Sequence, residues 1–387
     1  MNYEINEEYL IQTRRYFHCY PELSLQEFET AKFIRRELKR FGIEYRTVGE
    51  TGTLGAIHGR GEGKTVLLRA DIDALPMQER TGLEYASKND GVMHACGHDF
   101  HAAALLEAAR VLRQQSSAFD GTVLLAFQPA EEFGHGSKFF VQEGLTKGYD
   151  RAFGIHVTTE FPVGTVALTK GPDASACAYF KITLSGTSAH ISKPHQGADA
   201  LAAAVETAAR LSRLQSFFVD PLESVIVGVG HISAGSTWNI IARDAVIEGT
   251  VRTMSDGSMA LLQNKVRKTA TSTATLYDVR AETEFELFTP ALINDGDAAD
   301  EAKAVAQRLL GQENVFEESR PLMGFGGDDF AEFIRHEKGI YVHVGAANDD
   351  PASQVSLHSE NLRLDEGALA VAARLHVGYA LSILTGN

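Results

Sequence analysis

Residues 65–70 read TVLLRA and residues 122–127 read TVLLAF. Each run is apolar at almost every position. A strand with one wet face alternates apolar and polar residues, whereas a continuous run fits a strand covered on both faces. Residues 151–157 (RAFGIHV) and 341–345 (YVHVG) are further runs of this kind. Stretches with helical spacing occur at about 7–20, 24–41 and 102–114. Strands alternating with helices predict an α/β domain built on a mostly parallel sheet.

Outward from these runs the punctuation is local. Pro21 stops the first helix. Ser24, with Glu27 three residues on, forms a capping-box pattern and predicts a second helix over 24–41, which Gly42 ends. From Tyr179 the character changes. Strand (179–186), helix (199–214), two strands (224–232 and 245–252), helix (259–270) and strand (279–286) give the ferredoxin-like βαββαβ order. The α/β alternation then resumes, with a last helix from near Asp365. The expected organisation is a catalytic domain of residues 1–178 plus 289–387, interrupted by a smaller inserted domain of residues 179–288.

Composition narrows the function. The chain has 387 residues, 44% of them hydrophobic and 22% charged, as in globular proteins. Its net charge of −15 leaves no electrostatic footprint for nucleic acid or an anionic membrane. Three cysteines, Cys19, Cys96 and Cys177, make no disulfide framework and point to a reducing, cytoplasmic setting. MNYEINEEYL lacks the basic region of a secretory signal. No apolar run is expected to approach the roughly 18 residues of a membrane span. The sign of the charge suits solubility more than it identifies a substrate.

Open α/β sheets bind ligands beyond the carboxyl ends of their strands. TVLLRA is followed there by Asp71 and Asp73, TVLLAFQ by Glu131–Glu132, and AFGI by His156. Three strands thus deliver metal-type side chains to one edge. MHACGHDFHAA adds Cys96 and His98, a thiolate and an imidazole suited to zinc-like ions. His94 and His101 in the same segment read as ordinary polar groups near a helix start. With chain-distant His358, the donors Cys96, His98, Glu132, His156 and His358 suit two divalent ions sharing a ligand and a water. If Glu132 is a ligand, Glu131 beside it is left free as a general base. In the inserted domain His190 and His195 flank a proline loop, and Asn239 and Arg252 suit a substrate carboxylate.

Two other machines fit less well. GRGEGKT resembles a phosphate-binding loop, but the required first glycine is His58 and a strand follows instead of a helix. A Cys96–His nucleophile pair leaves Glu131, Glu132, His156 and His358 without a role.

Nine segments, in order, carry a resemblance: RRYFHCYPELSLQEFET, LLRADIDALPMQE, MHACGHDFHAA, FQPAEE, GIHV, the His190 loop, WNIIARDAVIEGTVRT, GGDDFAEF and LHSENL. The chain resembles the dinuclear-metal aminoacylase and carboxypeptidase family. It is closest to the amidohydrolase branch of hippurate hydrolases, bacterial N-acyl-amino-acid deacylases and plant auxin-conjugate hydrolases. The resemblance implies that Cys96, His98, Glu132, His156 and His358 are metal ligands and that Glu131 is the general base. It implies that Asp73 orients a ligand, with Asp71 as the competing choice. It further implies that His190 polarises the scissile carbonyl, within its own chain or across a dimer, and that Asn239 and Arg252 contact substrate. The inserted domain would then be a lid and dimerisation domain, in a homodimer or higher homo-oligomer.

Three departures bear on substrate preference and lid geometry: Ser188–Ala189–His190 for Gly-Gly-His, Ile240–Ile241–Ala242 for Val-Ile-Pro, and Gly327–Asp328–Asp329–Phe330 for Ser-Glu-Asp-Phe. The expected reaction is metal-dependent hydrolysis of an N-acyl amino acid, with acetyl, benzoyl or similar acyl groups, by two Zn²⁺ or Mn²⁺ ions, Co²⁺ or Ni²⁺ being open. The alternatives are a dipeptidase or carboxypeptidase of the same family and a catalytically silent binding protein.

Overall fold

The computed structural model describes residues 3–386. It divides into two compact units, each with its own core: Met1–Asp173 with Leu292–Leu322 and Asp328–Asn387, and Ala174–Ala291 with Met323–Gly327. The second unit thus starts five residues before the expected inserted domain and ends three after it, and it takes in a short segment from much later in the chain.

The first unit contains helices α1 (Glu7–Cys19), α2 (Phe28–Arg40), α3 (His98–Gln114) and α4 (Gly136–Gln142), followed later in the chain by α8 (Gly296–Leu310), α9 (Ala331–Ile334) and α10 (Ala368–Thr385). Its sheet uses β1 (Glu44–Val48), β2 (Gly52–His58), β3 (Thr65–Asp71), β4 (Thr122–Gln128), β5 (Arg151–Pro162), β6 (Val166–Thr169), β13 (Val315–Glu318) and β14 (Gly339–Ala347). The order is β1-β2-β4-β3-β5-β14-β6-β13. A two-stranded ribbon pairs β7 (Gly171–Ala174) with β12 (Leu292–Asn294).

The middle of the large sheet is parallel: β4 with β3, β3 with β5, and β5 with β14. Antiparallel pairs lie toward its edges, β1 with β2, β2 with β4, and β14 with β6. The parallel strands are the continuous apolar runs. Val66, Leu67 and Leu68 are fully buried because helices cover the sheet. The Ala-rich α3 and α10 lie in the core, with Ala103, Ala104, Ala372 and Ala373 fully buried. Small side chains there let neighbouring elements approach closely.

Two expectations for this unit are corrected. The second helix starts at Phe28, not Ser24, and its N-cap, Glu27, makes no side-chain cap. Ser24 Oγ donates instead to Asp73 Oδ2 (2.6 Å), while Glu27 accepts from the Ala130 amide (2.9 Å) and the Thr51 hydroxyl (2.8 Å). Partners distant in the chain outbid the local cap. The expectation that no run matches a membrane span fails at Ala368–Thr385, which is long and apolar enough by length and composition. In this structure 67% of that window is buried inside the protein, so α10 is packed as a core helix.

Burial of Glu27, reinforced by Asp73, pushes its carboxyl up to about 7 from the ordinary 4.5. A carboxyl raised on folding loses its stabilising contribution as pH rises through the folded value. Between about pH 4.5 and about pH 7, the metal-free wild type should therefore lose stability relative to Glu27→Gln. Urea unfolding of both proteins across that window checks this; parallel pH profiles would refute it.

The second unit has β8 (Ala176–Ser185), α5 (Ala200–Leu211), α6 (Leu214–Phe218), β9 (Val225–Ala234), β10 (Asp244–Thr253), α7 (Asp256–Leu276) and β11 (Arg280–Thr289). Its four strands are all antiparallel in the order β11-β8-β10-β9, the ferredoxin-like arrangement. β8 alternates buried and half-buried residues, as a one-faced strand should. Phe180, Ile182 and Ile247 from the sheet share a core with Leu262 and Val266 of α7.

Candidate metal centre

Four chain-distant segments of the first unit meet beyond the parallel strands. Cys96 and His98 flank Gly97, whose φ of +89° starts α3. A Cβ on Gly97 would lie 2.3 Å from Val157 Cγ1, so only glycine fits this turn. Glu131 and Glu132 follow β4 through Ala130, and His156 lies within β5. His358 sits on a loop, its amide donating to the Ala95 carbonyl (2.8 Å). Ala130 (φ +52°) and His358 (φ +64°) both occupy the left-handed region that non-glycine residues seldom adopt. Strained backbone of this kind persists where surrounding contacts over-determine it, commonly at functional sites.

The donor atoms fall into two overlapping groups. Cys96 Sγ lies 3.5 Å from His156 Nε2 and 3.3 Å from His358 Nε2. Glu132 Oε1 lies 3.4 Å from His358 Nε2 and 3.9 Å from His98 Nε2. Cys96, His98 and His156 form one cluster and Cys96, Glu132 and His358 another, each with its ligand atoms within 4.8 Å of one another. With bonds of about 2.3 Å to sulfur and 2.0 Å to nitrogen, two ligands of a tetrahedral ion lie about 3.5 Å apart. The thiol is common to both groups.

Two of the imidazoles are fixed by their Nδ1 atoms. His98 Nδ1 donates to the Asp73 carbonyl (2.9 Å) and lies 3.2 Å from Asp73 Oδ1; His156 Nδ1 donates to the Val157 carbonyl (2.6 Å). A carbonyl only accepts, so the protons sit on Nδ1 and the Nε2 lone pairs face the cluster. His98 Nε2 and Glu132 Oε1 are buried there without a hydrogen-bond partner. Buried polar atoms left unmatched at a point where thiol, imidazole and carboxylate converge fit a cation.

Electrostatics agree with that fit. Burial and the neighbouring Asp328, Glu132 and Asp329 hold the Glu131 carboxyl well above the usual carboxylate range. Burial and Glu132 push the Cys96 thiol up. Burial opposes charge on His98, but Asp71, the Cys96 thiol and the hydrogen bond to Asp73 raise it well above an ordinary histidine. Burial and His101 push His156 well down. Divalent cations would supply the positive charge this anionic pocket needs.

The two competing aspartates divide the work. Asp73 touches His98, whereas Asp71 Oδ1 takes the His101 Nδ1 proton (2.6 Å). The Val157 amide donates to His101 Nε2 (2.9 Å), so both nitrogens of His101 are occupied. His94 is buried, and neither of its ring nitrogens has a hydrogen-bond partner.

Beneath the centre lies a network that reading the residues one by one missed. Fully buried Arg69 contacts Asp71 (2.5 Å), Gln128 (2.9 Å), Asp329 (3.1 Å) and Asp328 (3.2 Å). Tyr341 donates to Asp328 (2.6 Å), and Glu131, Asp328 and Asp329 each bring an oxygen within 4.8 Å of the other two. The signal was an arginine inside TVLLRA, because a charge in a strand covered on both faces must be paired.

The other candidates belong to the second unit. His190 is exposed; the Ser192 amide donates to its Nδ1 (3.1 Å), so Nε2 carries the proton and can donate. A short antiparallel bridge pairs His190 with Ile240, the residue after Asn239, and the Ile191 amide donates to the Asn239 carbonyl (3.0 Å). His195 lies in an exposed single turn. Arg252 lies near the far end of β10, opposite Cys177, and donates to the Phe325 carbonyl (2.6 Å). At about 3.3 Å per residue, the strand alone puts roughly 25 Å between Asp244 at its start and Arg252.

Comparison with known proteins agrees with this architecture. Residues 67–382 match the model of peptidase family M20/M25/M40. The chain is 38% identical to N-acetyl-L-cysteine deacetylase of Bacillus subtilis over 100% of this chain and 91% of that protein. It is 36% identical to IAA-amino acid hydrolase ILR1-like 4 of Arabidopsis thaliana over 97% and 86%. A solved dinuclear metal-binding peptidase of the M20 family from Bacillus subtilis superposes with a TM-score of 0.84 at 35% identity, covering 98% of each chain.

Proposed function

The chain belongs to peptidase family M20/M25/M40, and on that premise we propose that it hydrolyses the amide bond of N-acyl amino acids to a carboxylic acid and a free amino acid. The observation that carries this reading is the five-donor cluster of Cys96, His98, Glu132, His156 and His358 with the extra carboxylate of Glu131 beside it. A deacetylase and an auxin-conjugate hydrolase among its relatives act on small N-acylated amino acids, which supports the same substrate class.

The five donors would hold two divalent ions through the shared thiolate. The sulfur ligand favours Zn²⁺, the carboxylate also suits Mn²⁺, and Co²⁺ or Ni²⁺ remain compatible with the set. Bound there, the ions would supply Lewis acidity toward water and toward the scissile carbonyl. Asp73 orients His98 for that task. Glu131 accepts a proton from the attacking water and returns it to the leaving amine. The His190 Nε2–H donates to the developing oxyanion. Asn239 and Arg252 hold the carboxylate of the amino acid, and a homodimer, with His190 acting within its own chain or across it, is part of the proposal. Three unpaired cysteines favour the cytoplasm as its location.

The test is release of free amino acid from an N-acetyl and N-benzoyl amino acid panel by chelator-stripped protein refed with Zn²⁺ or Mn²⁺. Release that disappears on stripping and returns only with metal is expected. No release after stoichiometric metal rebinding would overturn the reading.

A further inference from the structure

Within the first unit, residues 24–27 and 130–133 are tied together by two buried carboxylates, each through a single oxygen. Asp73 Oδ2 accepts from the Ser24 hydroxyl (2.6 Å) and from the Glu132 amide (3.1 Å). Glu27 Oε1 accepts from the Leu25 amide (2.9 Å) and from the Ala130 amide (2.9 Å). Ser24, Glu27, Asp73 and Ala130 are all buried. Leu25 and Phe133, the residues that follow Ser24 and Glu132, are not. Leu25 is 47% exposed and Phe133 57%, and among the described residues of the first unit no large apolar side chain is more exposed than Phe133. An exposed leucine or phenylalanine by itself says little, since much of any protein surface is apolar. The place and backbone of these two say more.

Phe133 shares one turn with Glu131 and Glu132, closed by the Gly134 amide on the Glu131 carbonyl (2.7 Å). Its Cα is about 3.8 Å from that of Glu132, whose carboxylate lies among the donors. Leu25 has φ +66°, in the left-handed region where a leucine is strained. Strain of this kind persists where contacts over-determine the backbone, and it gathers at ligand clamps. In an N-acyl amino acid the acyl substituent is bonded directly to the carbonyl carbon, whereas the amino acid's side chain is set off from it by the amide nitrogen and the Cα. Apolar surface one residue from a donor therefore falls to the acyl group. The amino acid's carboxylate would find no hydrogen-bond donor on either side chain.

We propose that Phe133 and Leu25 determine specificity for the acyl group: they give the donor cluster an apolar rim that takes acyl groups larger than acetyl, such as hexanoyl or benzoyl, by covering their hydrocarbon. The proposal rests on the amide hydrolysis proposed above and deepens it by naming the acyl class. Each methylene removed from water is worth about 4-fold, so a rim covering two of the four added by hexanoyl favours it over acetyl by about 10-fold.

The experiment measures kcat/KM of metal-loaded wild type, Phe133→Ala, Phe133→Leu and Leu25→Asn on the N-acetyl, N-butanoyl, N-hexanoyl and N-benzoyl derivatives of one amino acid. A second series holds the acyl group at acetyl and varies the amino acid among alanine, leucine and phenylalanine. Phe133→Ala should lower the hexanoyl-to-acetyl ratio by about 10-fold, and Phe133→Leu by only about 3-fold because it keeps part of the apolar area. Leu25→Asn should lower the ratio by about 3-fold; asparagine suits the left-handed backbone, so its effect reports lost apolar area and not misfolding. The order within the amino acid series should stay the same in every protein. An equal loss on all substrates would give the two residues a structural role, and a change confined to the amino acid series would make them contacts for its side chain; either overturns the proposal, as does a wild type that prefers acetyl. If the wild type releases amino acid from none of the substrates, the proposed function fails, and calorimetric binding of hexanoate and acetate to metal-loaded wild type and Phe133→Ala decides alone. A hexanoate preference that the substitution lowers supports the rim; the same preference in both proteins, or none, overturns it.

Discussion

Replacing Glu131 by Gln is expected to lower kcat by about 10²–10⁴-fold, the usual contribution of a positioned general base, while two metal equivalents stay bound. The adjacent glutamates are chemically identical, so only their surroundings can divide their roles. Glu132 Oε1 lies among the ligand atoms, 3.4 Å from His358 Nε2, and the Glu132 amide is fixed by Asp73 Oδ2 (3.1 Å). Glu131 Oε2 also lies 4.0 Å from His98 Nε2, but its carboxyl stands beside Asp328 and Asp329, and burial together with Asp328, Glu132 and Asp329 favours its protonated form. A carboxyl of raised proton affinity is suited to take a proton from water and hand it to an amine. Metal analysis alongside amino acid release separates the roles: a Glu131→Gln protein that loses metal would reverse the assignment of the pair. Glu132→Gln should show the opposite balance, with metal binding weakened first.

The largest stability effect is expected at Arg69. Arg69→Met should destabilise the first unit by about 3–5 kcal/mol, the cost of leaving buried partners of an ion pair unmatched. Asp71 and Asp328 would be stranded without their cation, and Gln128 and Asp329 would lose a donor. Arg69→Lys should recover only part, since an ammonium cannot reproduce the planar fork that reaches five side chains, Tyr341 included. Urea unfolding of the metal-free proteins measures this; a loss below about 1 kcal/mol for Arg69→Met would mean the network is not held by that charge.

The candidate ligand set was legible because each donor type is rare where it stands. A cysteine and a histidine one residue apart before a helix, paired glutamates after a buried strand, and a histidine inside another buried strand are hard to explain as packing. The supports were less legible because they look ordinary. Ser24 and Glu27 spell a helix cap, yet they serve Asp73 and Ala130. Asp328 and Asp329 look like a solvated acidic turn, yet they are buried on Arg69. Met323–Gly327, the five residues that lead into them, have no periodicity to read.

What the sequence by itself determined is therefore the class of fold and the kind of chemistry. Apolar run length and side-chain period report burial, and burial dictates strands covered on both faces in one unit and the one-faced strands of βαββαβ in the other. What only the tertiary structure decided is which partner each buried polar group takes: Ser24 for Asp73, Asp73 for His98, Arg69 for three carboxylates, and the Phe325 carbonyl for Arg252. A buried charge or hydroxyl must be matched, but its match comes from whatever packing brings within about 3 Å, and no local pattern encodes a neighbour hundreds of residues away.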